Sequence, residues 1–124
     1  MMVLISAERA TLDDETNALR TERLACRLKR EGIPCERGRG TWGGRSEAVF
    51  AVPCDGPRLL RLAAIAEEFQ QDALLWVDAL GGALLYWLAD MTVEPLGSWR
   101  EVTEAEAKVA GDWTELGGRY WRAG

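Results

Sequence analysis

Residues 73–88, ALLWVDALGGALLYWL, hold two apolar runs, Ala73–Asp78 and Ala83–Leu88, on either side of Gly81-Gly82. Two such runs around a Gly-Gly pair predict antiparallel strands joined by a tight hairpin. With a two-residue turn, Leu80 opposes Ala83, Asp78 opposes Leu85, and Trp76 lies across from Trp87 as a sheet-stabilising aromatic pair. This hairpin sets the expected fold class, because the segments before it alternate between strand and helix patterns.

Upstream, Met2–Ser6 is a short apolar run suited to a buried strand. From Asp14 to Glu31, Asn17, Thr21, Leu24, Ala25 and Leu28 share one helical face, and Gly32 with Pro34 stops the helix. Ile33–Arg37 reads as a peripheral strand, since Pro34 has no N–H to give to a ladder. Gly38–Gly44, GRGTWGG, reads as a flexible loop, and Glu47–Val52 as a strand closed by Pro53. Pro57 opens a second helix whose stripe is Leu59, Leu62, Ala63, Ala66 and Phe69. The order is strand, helix, strand, strand, helix, strand, strand. Right-handed crossovers then place both helices on one face of a mainly antiparallel sheet: an α+β, ferredoxin-like βαββαββ sandwich.

Downstream, Thr103-Glu104-Ala105-Glu106 matches a capping box, and Gly111 ends the short helix that follows. Residues 112–122 offer a second hairpin around Gly117-Gly118. The 124 residues fit one domain, with 1–90 as the α+β core and 91–124 as a C-terminal extension packing on it. The extension, carrying Trp99, Trp113, Tyr120 and Trp121, is expected to cover the helix-free sheet face. Failing that, the aromatic face is a homodimer contact.

Composition narrows the chemistry. The chain has no histidine, which removes Ser-His-Asp and Cys-His catalysis and His-ligated zinc. Cys26, Cys35 and Cys54 form no C-x-x-C pair and read as free thiols, so neither metal nor cofactor is expected. No apolar run approaches the roughly 20 residues of a membrane span. The N-terminus lacks a secretory pattern, so the expected location is cytoplasmic. The net charge of −5 is uneven: residues 20–45 carry eight basic against three acidic side chains, +5, leaving −10 elsewhere.

Several motifs share a spacing with a known family. They are the strand ending L-I-S-A, Asn17-x-x-Arg20, the Leu24–Leu28 helix, Trp42 in a Gly-rich stretch, and the Glu47–Val52 strand. Ala66, Phe69, Gln71 and Ala73 follow as A-x-x-F-x-Q-x-A, and then L-L-W-V-D. Over residues 3–88 this resembles a bacterial domain-of-unknown-function family, number 3293. Ser6-Ala7-Glu8-Arg9-Ala10 departs from its usual Thr-Ala-Trp-Asn-Pro-like segment, and Ser46 precedes Glu47 where members place Glu before Ser. The resemblance implies the fold and assigns no activity.

The candidate site residues are Asn17, Arg20, Arg23, Arg27, Trp42, Arg45, Glu47 and Gln71. Arg20, Arg23, Arg27 and Arg30 recur on one helix face, either as a solvated surface or as an anion-binding stripe. Trp42 either stacks on a ring or pins its loop, and Asn17 and Gln71 either bind ligand or satisfy backbone groups. The expected function is a non-enzymatic binding or regulatory domain recognising a protein or a compact anionic ligand, with extended nucleic acid disfavoured by the negative charge. One alternative is a small enzyme acting on a phosphorylated or nucleotide substrate through Arg20, Arg45, Glu47 and Gln71. Another is an acidic inhibitor, from a phage or mobile element, of a host nucleic-acid-binding or defence protein.

Overall fold

The computed structural model describes residues 1–124. The elements run β1 (Met2–Ile5), α1 (Asp14–Arg30), β2 (Glu36–Trp42), β3 (Arg45–Pro53), α2 (Gly56–Glu68) and β4 (Ala73–Val77). They continue with β5 (Gly82–Trp87), β6 (Thr92–Val102), α3 (Glu104–Ala110), β7 (Trp113–Leu116) and β8 (Arg119–Ala123). All eight strands join in one closed antiparallel barrel, ordered β1-β3-β2-β7-β8-β6-β5-β4. The open ferredoxin-like sandwich is therefore incorrect. Residues beyond 90 supply β6, β7 and β8, which complete the ring.

Helix boundaries follow local chemistry. Asp13 accepts from Thr16 N at the start of α1, Asp55 does the same for Arg58 N at α2, and Thr103 with Glu106 forms a capping box on α3. Gly111 ends α3 at φ 86°, a left-handed conformation that glycine adopts without penalty. Leu24 and Leu28 of α1 and Leu62, Ile65 and Ala66 of α2 pack with Val3, Ile5, Phe50, Val52 and Leu74 in a single core on the outside of the barrel wall. A smaller cluster of Leu4, Ala51, Leu75 and Leu116, with Leu85, Leu96, Trp99 and Trp121 against it, fills the inside. The two sets alternate along β1, β3, β4 and β5, as the period of two requires.

Two strand expectations fail for identifiable reasons. Gly38–Gly44 is mostly strand: residues 36–42 pair with β3, and Gly43-Gly44 makes the turn. Gly38 and Gly40 are buried while Arg37 and Arg39 are exposed, so the glycines take the inner face. A Cβ on Gly38 would lie 2.2 Å from the Glu115 carbonyl oxygen, so only glycine allows β7 to approach this close. In the 73–88 hairpin, Trp76 pairs with Leu84 and Trp87 with Ala73. The turn is longer than two residues because the Asp78 carboxylate accepts from both Leu80 N and Gly82 N. The register moves by three, and an odd shift sends the two tryptophans to opposite faces. Trp76 packs on the helix side, and Trp87 lines the interior.

The helix-free sheet face expected as a cover site or dimer contact is thus the barrel lining. No helix is long and apolar enough to cross a membrane. All three cysteines are free.

Because Gly38 meets backbone, which cannot rotate away, Gly38→Ala should destabilise the protein by about 3 kcal/mol. Gly43→Ala, at the turn, has nothing within 4 Å of the added carbon and only its positive φ to oppose it, so it should cost about 1 kcal/mol. Urea unfolding of both variants checks the order.

Candidate active site

At the end of the barrel where β1 leads into α1, a cavity of about 530 Å³ opens into the interior. Its lining comes from successive inward positions: Leu4 and Ser6, Glu47 and Val49, Ala73 and Leu75, Leu85 and Trp87, with Trp42, Leu96, Gln71 and Asp72 around them. Apolar walls with a few polar groups at one rim are the usual make-up of a small-molecule site. A polar recess of about 340 Å³ adjoins it, formed by Glu8, Arg9, Arg45, Gln70 and neighbours, and shares Glu47, Gln71, Asp72 and Ala73 with the main chamber.

Arg45 sits between two carboxylates, 3.3 Å from Glu8 and 3.3 Å from Glu47. The second oxygen of Glu8 accepts from Ala48 N at 2.6 Å, which fixes that carboxylate to β3. Ser6 Oγ donates to the Ala48 carbonyl at 2.9 Å and lies 3.4 Å from Glu47. Burial pushes the Glu47 carboxyl above its ordinary range. Arg45 opposes this, Glu8 adds to it, and burial wins.

Three of the residues singled out from sequence build the segment that carries Ser6 and Glu8. Asn17 is 3 % exposed. Its oxygen accepts from Arg9 N at 2.9 Å, and its amide donates to the carbonyls of Arg9 and Leu12 at 2.9 and 3.3 Å. Arg20 Nε donates to the Ala7 carbonyl at 2.7 Å, and another of its nitrogens donates to the Phe69 carbonyl. Gln71 donates to the Glu8 carbonyl at 3.1 Å and also faces the cavity. These contacts hold residues 7–12, which have no strand or helix partner of their own, against the end of α2.

Trp42, Glu47 and Gln71 therefore meet in one cavity, with Arg45 beside them. Arg27 lies elsewhere: it pairs with Glu31 and Glu68 at 2.5 Å each, while Arg61 binds Glu31 at 2.6 Å, tying α1 to α2. Hydrogen bonds from Arg61 and Arg27 hold the Glu31 carboxyl down at about 2. Arg23 is exposed and makes no side-chain hydrogen bond or ion pair. Sequence reasoning missed Ser6, Glu8, Asp72 and Trp87. Their signal was polarity or bulk at strand ends in phase with the inward positions, which is visible only once the register is known. No group of three or more His, Cys, Asp or Glu side chains is placed to hold a metal ion.

The sequence model of the S-adenosylmethionine lyase family matches residues 3–124. The chain belongs to that family. Membership in the S-adenosylmethionine lyase family replaces the resemblance to domain family 3293, which stopped at residue 88 and left the last three strands unmatched. It also overturns the non-enzymatic reading, since the family is named for an enzyme, and favours the enzyme alternative. No match was found among curated proteins.

Two stability effects follow. Asn17→Ala orphans buried backbone groups and should cost about 2 kcal/mol in urea unfolding. Glu47→Gln should behave oppositely. A raised folded-state pKa means that the carboxylate is disfavoured on folding, so its cost appears as pH rises from the ordinary value of 4.5 through the folded-state value. The glutamine variant should therefore match wild type in acid and equal or exceed it at pH 7, as thermal unfolding across pH would record.

Proposed function

We propose that this protein is an enzyme that breaks a carbon–sulfur bond of S-adenosylmethionine in the barrel cavity. The observation that carries this reading is a half-buried carboxylate, Glu47, which with Ser6, Gln71 and Asp72 forms the polar rim of a chamber whose other walls are apolar and include Trp42 and Trp87. Membership in the lyase family supplies the substrate. The substrate's sulfonium is a fixed positive charge next to apolar groups, and a desolvated carboxylate beside aromatic faces suits such a cation. The adenine ring has the flat apolar surface that indole rings take up.

Lyase cleavage needs no acceptor molecule. The electron pair of the broken bond goes to sulfur, which becomes a neutral thioether. The carbon left behind is satisfied from within the substrate, by loss of a neighbouring proton or by attack of the substrate's own carboxylate. Either way positive charge disappears from sulfur as the bond breaks. A dry chamber accelerates a step in which charge is neutralised, because water would have stabilised the separated charges of the ground state. Leu4, Val49, Leu75, Leu85 and Leu96 provide that dry lining. Glu47 holds the cationic part of the substrate and is the base at hand if a proton must leave.

Purified protein incubated with S-adenosylmethionine alone should consume it and release an adenosyl thioether, as mass spectrometry reads. Substrate left intact at high enzyme concentration would overturn the proposal. Glu47→Gln should lower kcat/KM by roughly 10- to 100-fold. The wild-type rate should fall in acid along a limb lying above pH 4.5, because the working form is the carboxylate and burial raises its pKa. The glutamine variant should lack that limb.

A further inference from the structure

The cavity and its recess differ sharply in character, and that difference gives the site a direction. Six apolar side chains, Leu4, Val49, Leu75, Leu85, Trp87 and Leu96, line the chamber that runs into the barrel. The recess holds Glu8, Glu47 and Asp72 against Arg9 and Arg45, a net charge of −1 from three acids and two bases. S-adenosylmethionine has the same polarity from end to end. Its nucleoside is flat and largely apolar, and its amino-acid tail carries an ammonium and a carboxylate beyond the sulfonium. Counted together, the sulfonium, ammonium and carboxylate give the substrate +1, the complement of the recess.

We infer that Arg45 anchors the α-carboxylate of the substrate in the recess, so that the nucleoside enters the barrel first and the amino-acid tail stays at the rim; this rests on the reading of the cavity as the S-adenosylmethionine site. Arg45 lines the recess and pairs with Glu47, a residue that the recess shares with the chamber. It is 34 % accessible, and both of its contacts, to Glu8 and Glu47, are long single bonds at 3.3 Å. A guanidinium carries five N–H donors, and carboxylate is the anion that its fork fits in bidentate fashion. Arg9, the other cation of the recess, already donates to the Gln70 carbonyl and serves the wall. With Arg45 engaged by the substrate carboxylate, Glu8 and Glu47 are left to face the ammonium and the sulfonium. Glu8 keeps its place through Ala48 N, so the arrangement does not collapse when Arg45 turns to the ligand. The site should thus select the amino-acid end, and require it, rather than accept any adenosyl sulfonium.

Binding, read separately from turnover, tests this. Trp42 and Trp87 line the chamber, so rapid-mixing tryptophan quenching reports occupancy before cleavage. The probes are S-adenosylmethionine and its decarboxylated analogue, which keeps the sulfonium and ammonium but lacks the carboxylate. Wild type should bind the carboxylate-bearing compound roughly 10- to 100-fold more tightly. Arg45→Ala should weaken S-adenosylmethionine by that factor without weakening the analogue, whose two positive charges gain the carboxylates that Arg45 releases. Arg45→Lys keeps the charge and loses the fork, so it should fall between the two, and it guards against a folding defect in the alanine variant. Equal binding of the two compounds by wild type, or equal weakening of both by Arg45→Ala, would overturn the assignment. So would an absence of quenching by S-adenosylmethionine. Retained selectivity without cleavage would sink the lyase reading and leave the anchor standing; cleavage without selectivity would do the reverse.

Discussion

The close approach of β2 to β7 at Gly38 is the contact on which the barrel depends. The Glu115 carbonyl occupies the space that any side chain at position 38 would need. Without it β2 would be a sheet edge, and the inner face of β1, β3 and β4 would lie open to water. With it, the apolar inner residues gain partners from β6, β7 and β8, and the space left over becomes a chamber. Closure also removes the exposed edges that invite pairing between chains. The site is a product of that closure, because its walls come from six different strands.

A second dependence is local. The rim is carried by residues 6–12, an irregular segment whose backbone groups must find partners outside regular structure. Asn17, Arg20 and Gln71 supply them. These side chains act at one remove from any ligand: they fix the backbone that carries Ser6 and Glu8, and Glu8 meets Arg45 through a single 3.3 Å contact. Their polarity on or near a core-facing stripe is therefore explained by backbone satisfaction.

Much of the local structure was legible. The capping box of α3, the glycine stops and the apolar stripes of α1 and α2 all rest on interactions within a few residues, which sequence displays directly. What escaped was long-range. Pro95 and Gly97 concealed β6, whose ladder against β5 slips between Ala83 and Leu84 to accommodate them. The glycines of β2 looked like flexibility because the atom that demands them, the Glu115 oxygen, is 77 positions away in sequence. The 73–88 hairpin went astray by three residues because an aspartate side chain, rather than the Gly-Gly pair alone, shapes its turn. Of the site, Trp42, Arg45, Glu47 and Gln71 were picked out individually, while their convergence depended on a ring of strands that composition does not reveal.

The order of strands in the ring also bears on how the molecule comes into being. Apart from Leu96, the chamber-lining residues lie in the first 87 positions, yet β7 and β8 follow every other strand in the chain. A growing chain therefore carries its chamber-lining tryptophans and leucines before it has the strands that enclose them. During that interval the inner face of the sheet is a bare apolar surface joined to an open edge on β2, the arrangement most prone to wrong partners. The helices can already pack on the outer face at that stage, because their whole core lies within residues 3–88. Assembly thus divides into an early half that is self-supporting and a late closure that both creates the chamber and ends the exposure. Competition between closure and association with other chains sets the yield of active protein, so mutations in β7 would be felt as lost solubility before they are felt as lost affinity.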